Sequence, residues 1–242
     1  MPHHIIDQRR DPVLLFALSC TLALVWLMTG MVTADTVTEI FAESGPIEQT
    51  SVLFLLLSAL ALVIDILWRR DLGRWHLAVL VLAAGLRELD WDKAFTDSGI
   101  LQLRLYSGNA PLLHKIIGAV VVILLVWAGL RLLRRSLPDW LRALRGGDVS
   151  AWLLLATLGL YGVAKTLDGL GRKLAPLGIE ISDWANRTAG RGEEAMELLG
   201  AILILQVVGL SLIRRVADHR CPGGGRAENK SGSIQSQNVL AE

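Results

Sequence analysis

Long uninterrupted apolar runs, separated by short joints dense in charge, decide what this chain can fold into. The stretch 13–32 is apolar or small on every side, whereas a helix on a soluble core needs only one apolar stripe. Six segments come close to the roughly 20 residues that a helix needs to cross a bilayer. They are 12–32, 47–68, 75–95, 112–133, 151–170 and 193–213. The fold class that follows is an all-α integral membrane protein, a bundle of about six transmembrane helices covering 1–220. The first run follows Arg9 and Arg10 and precedes Val32-Thr33-Ala34, as a cleavable signal would. Its apolar length of roughly 20 residues exceeds the roughly 7–15 of a signal core, so it reads as a retained anchor.

The third segment is the weakest. Its apolar part ends at Leu86, before Arg87-Glu88-Leu89-Asp90-Trp91-Asp92-Lys93. If it stopped short, the orientation of everything after it would invert. The joints argue that it crosses, because basic residues near span ends stay on the cytoplasmic side. Arg9 and Arg10, then Arg69, Arg70 and Arg74, then Arg131, Arg134, Arg135, Arg142 and Arg145, then Arg214, Arg215 and Arg220 fall at alternate joints. The opposite joint 33–47 holds no Lys or Arg but carries Asp35, Glu39 and Glu43. The joint with Arg172, Lys173, Arg187 and Arg191 is the exception. Six spans with both termini cytoplasmic, in a bacterial inner membrane, satisfy the rest.

Between spans four and five, 136–145 has the apolar face and basic character of a short interfacial helix. From 221 to 242 the chain is rich in Gly, Ser, Asn and Gln. Such a tail buries too little apolar surface to offset its ordering entropy and is expected to be disordered. The net charge of +1 argues against a nucleic-acid partner, and membrane lipid is the partner that composition implies. Cys20 and Cys221 fall at different depths in this topology, which argues against a disulfide between them.

The informative feature is where the remaining charges lie. Counting up from the arginine joints at about 1.5 Å per residue, Glu48 stands about 31 Å above Arg69. Arg87, Glu88, Asp90, Asp92 and Lys93 stand about 20–28 Å above Arg74 on the same rise. Lys115 stands about 28 Å above Arg134, and Glu197 about 25 Å above Arg214. Lys165 and Asp168 are about 21 and 26 Å above Ala151, and Glu193 and Glu194 begin the last span near the same level. Five of six spans thus place ionisable groups in one slab at the outer third of the membrane. A submerged charge costs about 2.5 kcal/mol or more, so such groups pair or line a wet cavity.

Helical spacing supports convergence. Glu193, Glu194 and Glu197 share a face. Glu88 and Asp92 likewise share a face, as do Arg87 and Asp90, while Lys165 and Asp168, three apart, are placed to pair. The slab is over-supplied with acid: Glu48, Glu88, Asp90, Asp92, Asp168, Glu193, Glu194 and Glu197 against Arg87, Lys93, Lys115 and Lys165. The expectation is an outward-open polar pocket with Glu88, Asp168 and Glu197 central and Arg87 and Lys115 as counter-charges. The segments 96–111 and 171–192 would fold over it as lids.

Three functional readings stand beside a purely structural layer of salt bridges. One is binding or transport of a polar or cationic solute or a lipid head group; a homo-oligomer would suit this reading, since six spans are few for a carrier. Another is an enzyme acting on a lipid-linked substrate at the outer leaflet. The third is a non-catalytic assembly or sensing partner. No cofactor or metal is specified, and Glu193-Glu194-x-x-Glu197 lacks the His of the helical-bundle di-metal motif. No nucleophile stands out, which favours binding and transport over catalysis.

Overall fold

The computed structural model describes residues 10–31, 40–41, 45–91 and 99–220, and every regular element among them is helical. The bundle begins with α1 (Arg10–Met31), α2 (Pro46–Arg69), α3 (Trp75–Glu88) and, after the short α4 (Leu103–Ser107), α5 (Leu112–Arg131). A π-helical turn, Leu132–Ser136, joins α5 to α6 (Leu137–Arg145). α7 (Val149–Leu167), the short α8 (Leu170–Leu174) and α9 (Asp183–Arg220) follow. Four helical runs are long and apolar enough to cross a membrane: α2, the continuous 112–145 run, α7 and α9. α1 adds a shorter apolar stretch, Pro12–Met28. The protein is therefore a helical membrane protein.

The chain passes back and forth between two chemically distinct ends. At one end Asp65 is 8% exposed and sits among three guanidinium groups. It accepts from Arg69 Nε at 2.6 Å and Arg215 Nη1 at 3.1 Å, with Arg74 Nη1 at 4.0 Å. Arg215 also reaches Asp71 at 3.4 Å. Arg131 donates to the Gly73 carbonyl at 3.1 Å, and His76 Nε2 meets Ser136 Oγ at 3.0 Å. Asp148 caps α7 by accepting from Ser150 and Ala151 N–H at 2.7 and 3.3 Å, and pairs with Arg214. This arginine end ties together the start of α3 and the ends of α2, α5 and α9. Asp148 is partly buried, which alone would raise its pKa, but Ser150 and Arg214 hold the carboxyl below its ordinary value.

Local chemistry explains the helix boundaries. α2 starts with Pro46 in its first turn after an extended Gly45, where the missing proline N–H costs nothing. It ends at Arg70, whose φ of 51° turns the chain so that the N–H groups of Arg70 and Asp71 return to Leu67 and Ile66 carbonyls. The Asp71 carboxylate then accepts from Gly73 N at 2.9 Å and reverses the chain into α3. The Gly73 hydrogen bond, and after it Arg215, hold Asp71 below the usual carboxylate range against slight desolvation.

Two helices differ from the sequence expectation. α3 stops at Glu88, and Asp90 adopts φ 48°, so the expected helix to 95 is interrupted where apolar residues give way to charge. Arg87 and Asp90 therefore do not share a helical face, and Asp92 and Lys93 lie outside the described residues, as does the tail from 221. α9 begins ten residues early, at Asp183, because Ser182 Oγ accepts from Ala185 N at 3.2 Å as a helix cap. The expected lid 171–192 is consequently α8, a 3-10 turn Ala175–Leu177 and the first turns of α9. Gly171 N donates to Asn186 Oδ1 at 3.2 Å and fastens that corner.

α9 packs against α7, α2 and α1, while α3 fills the space between α2 and α5. Phe54 and Leu55 of α2 are fully buried beside Ala23, Ala201 and Ile202. A second cluster joins Leu62, Ile66, Ala78 and Val208. Half of the apolar window of α2 is buried, against 11% for the 112–145 run, so α5 offers most of its surface to lipid. Small residues set the closest approaches. A β-carbon at Gly200 of α9 would stand 2.8 Å from the Tyr161 ring of α7. Gly200→Leu is expected to force these helices apart and cost about 1–3 kcal/mol, as overpacking does, read as a lower melting temperature in detergent. Asp65→Ala leaves three guanidinium groups crowded without their common anion. It should cost about 3 kcal/mol or more, whereas Arg74→Ala, at the longest of the contacts, should cost less; unfolding of the purified variants compares the two.

Candidate functional site

The opposite end of the bundle is acidic. α2 brings Glu48 down from its first turn, α3 brings Arg87 and Glu88 in its last turn, and α9 brings Glu193, Glu194 and Glu197. Lys165 comes from the last turn of α7. These side chains, with Gln49, Val52, Leu89 and Asp90, line one cavity of about 360 Å³. The spacing of α9 is what makes the wall: residues 193, 194 and 197 lie within one turn and face the same way.

Lys165 is the hinge of the electrostatics. Its ammonium lies 2.9 Å from Glu197 Oε1 and 3.3 Å from Glu193 Oε1, joining α7 to α9 where both line the cavity. Glu197 is 5% exposed, the most deeply buried of the carboxylates here. Its Oε1 is held by the ion pair but completes no well-aligned hydrogen bond. The Lys173 ammonium donates to the Lys165 carbonyl at 2.6 Å and closes the C-terminal turn of α7. The charges of Glu48 and Glu197 each act on Glu88 and on Glu194 across the cavity. The Tyr161 phenol lies near enough to Glu88 and Glu197 to feel both.

Six carboxylates line the cavity, those of Glu48, Glu88, Asp90, Glu193, Glu194 and Glu197, against the basic groups of Arg87 and Lys165. The wall therefore carries an excess of negative charge wherever these groups are ionised. Among the described residues, no three or more His, Cys, Asp or Glu side chains are close enough to grip a metal ion together. The carboxylates are instead spread around a volume larger than one ion.

Not every residue expected in the pocket is there. Lys115 turns away and donates to the Gly108 carbonyl at 2.8 Å, satisfying the end of α4. Asp168 is the residue that ends α7, with its N–H bonded to the Ala164 carbonyl at 2.9 Å. It acts on Glu193 by its charge but does not line the cavity. Lys165 pairs with α9 and not with Asp168. The segment expected as the other lid, 96–111, is described from Gly99 onward and lies on α5. Tyr106 donates to the Ile100 carbonyl at 2.8 Å, and its hydroxyl would stand 2.9 Å from a β-carbon at Gly118.

Two features escaped the sequence reading. Asp65 sits in the apolar run of α2 four residues before Arg69, and that i,i+4 spacing to a basic residue was its available signal. A second cavity, apolar and about 790 Å³, opens between α3 and α5; nothing in the spacing of Leu80, Ala83 or Val121 separates a groove from an ordinary lipid-facing surface. No protein-family model, curated protein or solved structure matches this chain, so the reading of the site rests on its own geometry.

Lys165→Met removes the ammonium that pairs with Glu193 and Glu197. A destabilisation of about 2 kcal/mol is expected, the cost of leaving a buried charged acceptor without its donor. Adding Glu197→Met should recover part of that loss, since a removed pair costs less than a broken one. Denaturation of the single and double variants in mild detergent measures both, and equal stability of Lys165→Met and the parent would sink the clamp.

Proposed function

We propose that this is a six-span protein of a bacterial inner membrane whose outward-facing acidic cavity binds a cation, either a polar cationic solute or the head group of a lipid. The carrying observation is the charge imbalance: six carboxylates share one cavity with Arg87 and Lys165. An uncompensated carboxylate in a low-dielectric wall is costly, and an entering cation relieves that cost at several carboxylates together. α1 and α3 supply the two further crossings. α3 leaves the arginine end beside α2 and delivers Glu88 to the acidic cavity, as a helix that crosses would. Arginine-rich joints gathered at one end support a cytoplasmic side for that end.

The cavity's size and spread of carboxylates favour an organic ammonium ion over a dehydrated metal ion. Several hydrogen-bond acceptors at different bearings suit the three N–H donors of a primary amine. Binding is the part of this function that the geometry supports. Passage through the membrane would need a second opening, and the arginine end is filled by the Asp65 cluster.

The test is thermal stabilisation of the full chain in detergent by protonated ethanolamine at neutral pH, with ethylene glycol as the neutral control. A ligand that binds only the folded state raises the melting temperature. Ethanolamine should raise it and ethylene glycol should not. The combined Glu88→Gln and Glu194→Gln variant should lose most of the shift. An equal shift in that variant, or none in the parent, rejects the cation site.

A further inference from the structure

The acidic cavity has an apolar neighbour, and Arg87 belongs to both. The larger cavity runs between two helical stripes. Leu80, Ala83, Ala84 and Arg87 lie on one face of α3, and Ile117, Val121 and Leu125 lie on the facing side of α5. At about 1.5 Å per residue these stripes extend about 10–12 Å along the helices, away from the acidic end. Trp91, Ile100 and Leu101 stand at the mouth. Ala83 keeps the groove open, since a larger side chain there would fill it, while Ala84 also packs against the core around Phe54 and Leu55. Most of the surface of α5 lies outside the protein core.

Arg87 is exposed and stands where this groove meets the carboxylates, and no ion pair joins it to another described residue. A guanidinium in that place binds a phosphodiester well, with paired N–H donors matched to two oxygens. On its far side stand Glu88 and Glu194, with the buried carboxylate of Glu197 behind them, its Oε1 2.9 Å from the Lys165 ammonium. The order along the wall is therefore apolar groove, cation, carboxylates. A ligand complementary to that order has an acyl chain, an anionic phosphodiester and a terminal ammonium.

We infer that the two cavities form one site for an amine-headed phospholipid, with its ammonium among Glu88, Glu194 and Glu197, its phosphate on Arg87 and one acyl chain between α3 and α5. This rests on the cation reading of the acidic cavity and narrows it to a lipid. A soluble amine would use the acidic cavity alone and leave the groove unused. An anionic lipid without an amine would place its head group against the excess of carboxylates.

The experiment is native mass spectrometry of the full chain, loaded in turn with dioleoylphosphatidylethanolamine, its N-acetylated form and dioleoylphosphatidylglycerol. The amine lipid should bind about tenfold tighter than the other two, the scale of one lost charge-assisted hydrogen bond. Ala83→Phe and, from the opposite wall, Val121→Phe should each weaken it by about tenfold, as a blocked chain site requires. Both variants should keep the thermal shift given by soluble ethanolamine, which also shows that they are folded. Arg87→Gln should weaken the phospholipid while ethanolamine, relieved of a like charge in the same cavity, keeps at least its parental shift. Equal binding of the three lipids, or full binding of the amine lipid to both groove-filling variants, overturns the lipid proposal. An ethanolamine shift that persists alongside either result leaves the cation reading standing; loss of that shift in the parent chain removes both.

Discussion

A charge placed within an apolar bundle has to find its opposite, and the two clusters that meet this requirement set the register of the helices. Asp65 draws Arg69 of its own helix, Arg74 from the start of α3 and Arg215 from the far part of α9 to one point. Apolar surfaces alone would let α2 and α9 slide along each other at little cost, because Leu, Ile and Val present nearly equivalent ridges. An ion pair has no such tolerance: a shift of one helical turn, about 5.4 Å, would separate Asp65 from Arg215. The Lys165 contacts with Glu193 and Glu197 do the same for α7 against α9 at the other end. Between those fixed points the close fit of Tyr161 on Gly200 and of Gly85 on Leu55 becomes possible.

The two clusters differ in what they leave over. At the arginine end three carboxylates are engaged: Asp65 by three guanidinium groups, Asp71 by Gly73 and Arg215, Asp148 by its helix N-terminus and Arg214. The partners are short-range and come from several helices, as in a joint whose task is mechanical. At the acidic end the Lys165 ammonium is shared by Glu193 and Glu197, while Glu88 and Glu194 line the same space with no ion pair to another described residue. Excess charge around an open volume is a poor way to hold helices together. It is a good way to attract something that arrives from outside, which is why the functional proposal is attached to this end alone.

Much of this arrangement was legible in the sequence because two simple periodicities governed it. Apolar length set α2, α5, α7 and the apolar part of α9, and counting 1.5 Å per residue from the arginine joints brought Glu48, Glu88, Lys165, Glu193, Glu194 and Glu197 to one level. The counting failed where it assumed that a helix continues. α3 ends at Glu88, so Asp90 reaches the cavity from a turn with positive φ and not from the face expected for it. Lys115 stands at the right height, but height says nothing of bearing, and its ammonium satisfies the Gly108 carbonyl. Asp168 likewise has the right level and closes a helix. Asp65 was hidden for the opposite reason: one acid in a long apolar run reads as an incidental polar residue until its three partners are brought together in space.

The groove between α3 and α5 extends the same reasoning to apolar surface. α3 is short and is held on one side by α2, through Gly85 against Leu55 and Leu56. Its other side carries alanines where a tight interface with α5 would need larger residues. The fold therefore spends its best packing on α2 and α9 and leaves α5 joined to the bundle at its ends. Arg131 and Ser136 hold it at the arginine end, and Tyr106 and Leu105 lie on Gly118 near the acidic end. The cavity left between α3 and α5 is a lateral opening toward lipid, and Arg87 stands where that opening meets the excess of carboxylates. Separately, an apolar groove and an acidic cavity are common enough surface features. Sharing a wall through one guanidinium, they present the three chemical parts of an amine phospholipid in the order in which the molecule carries them.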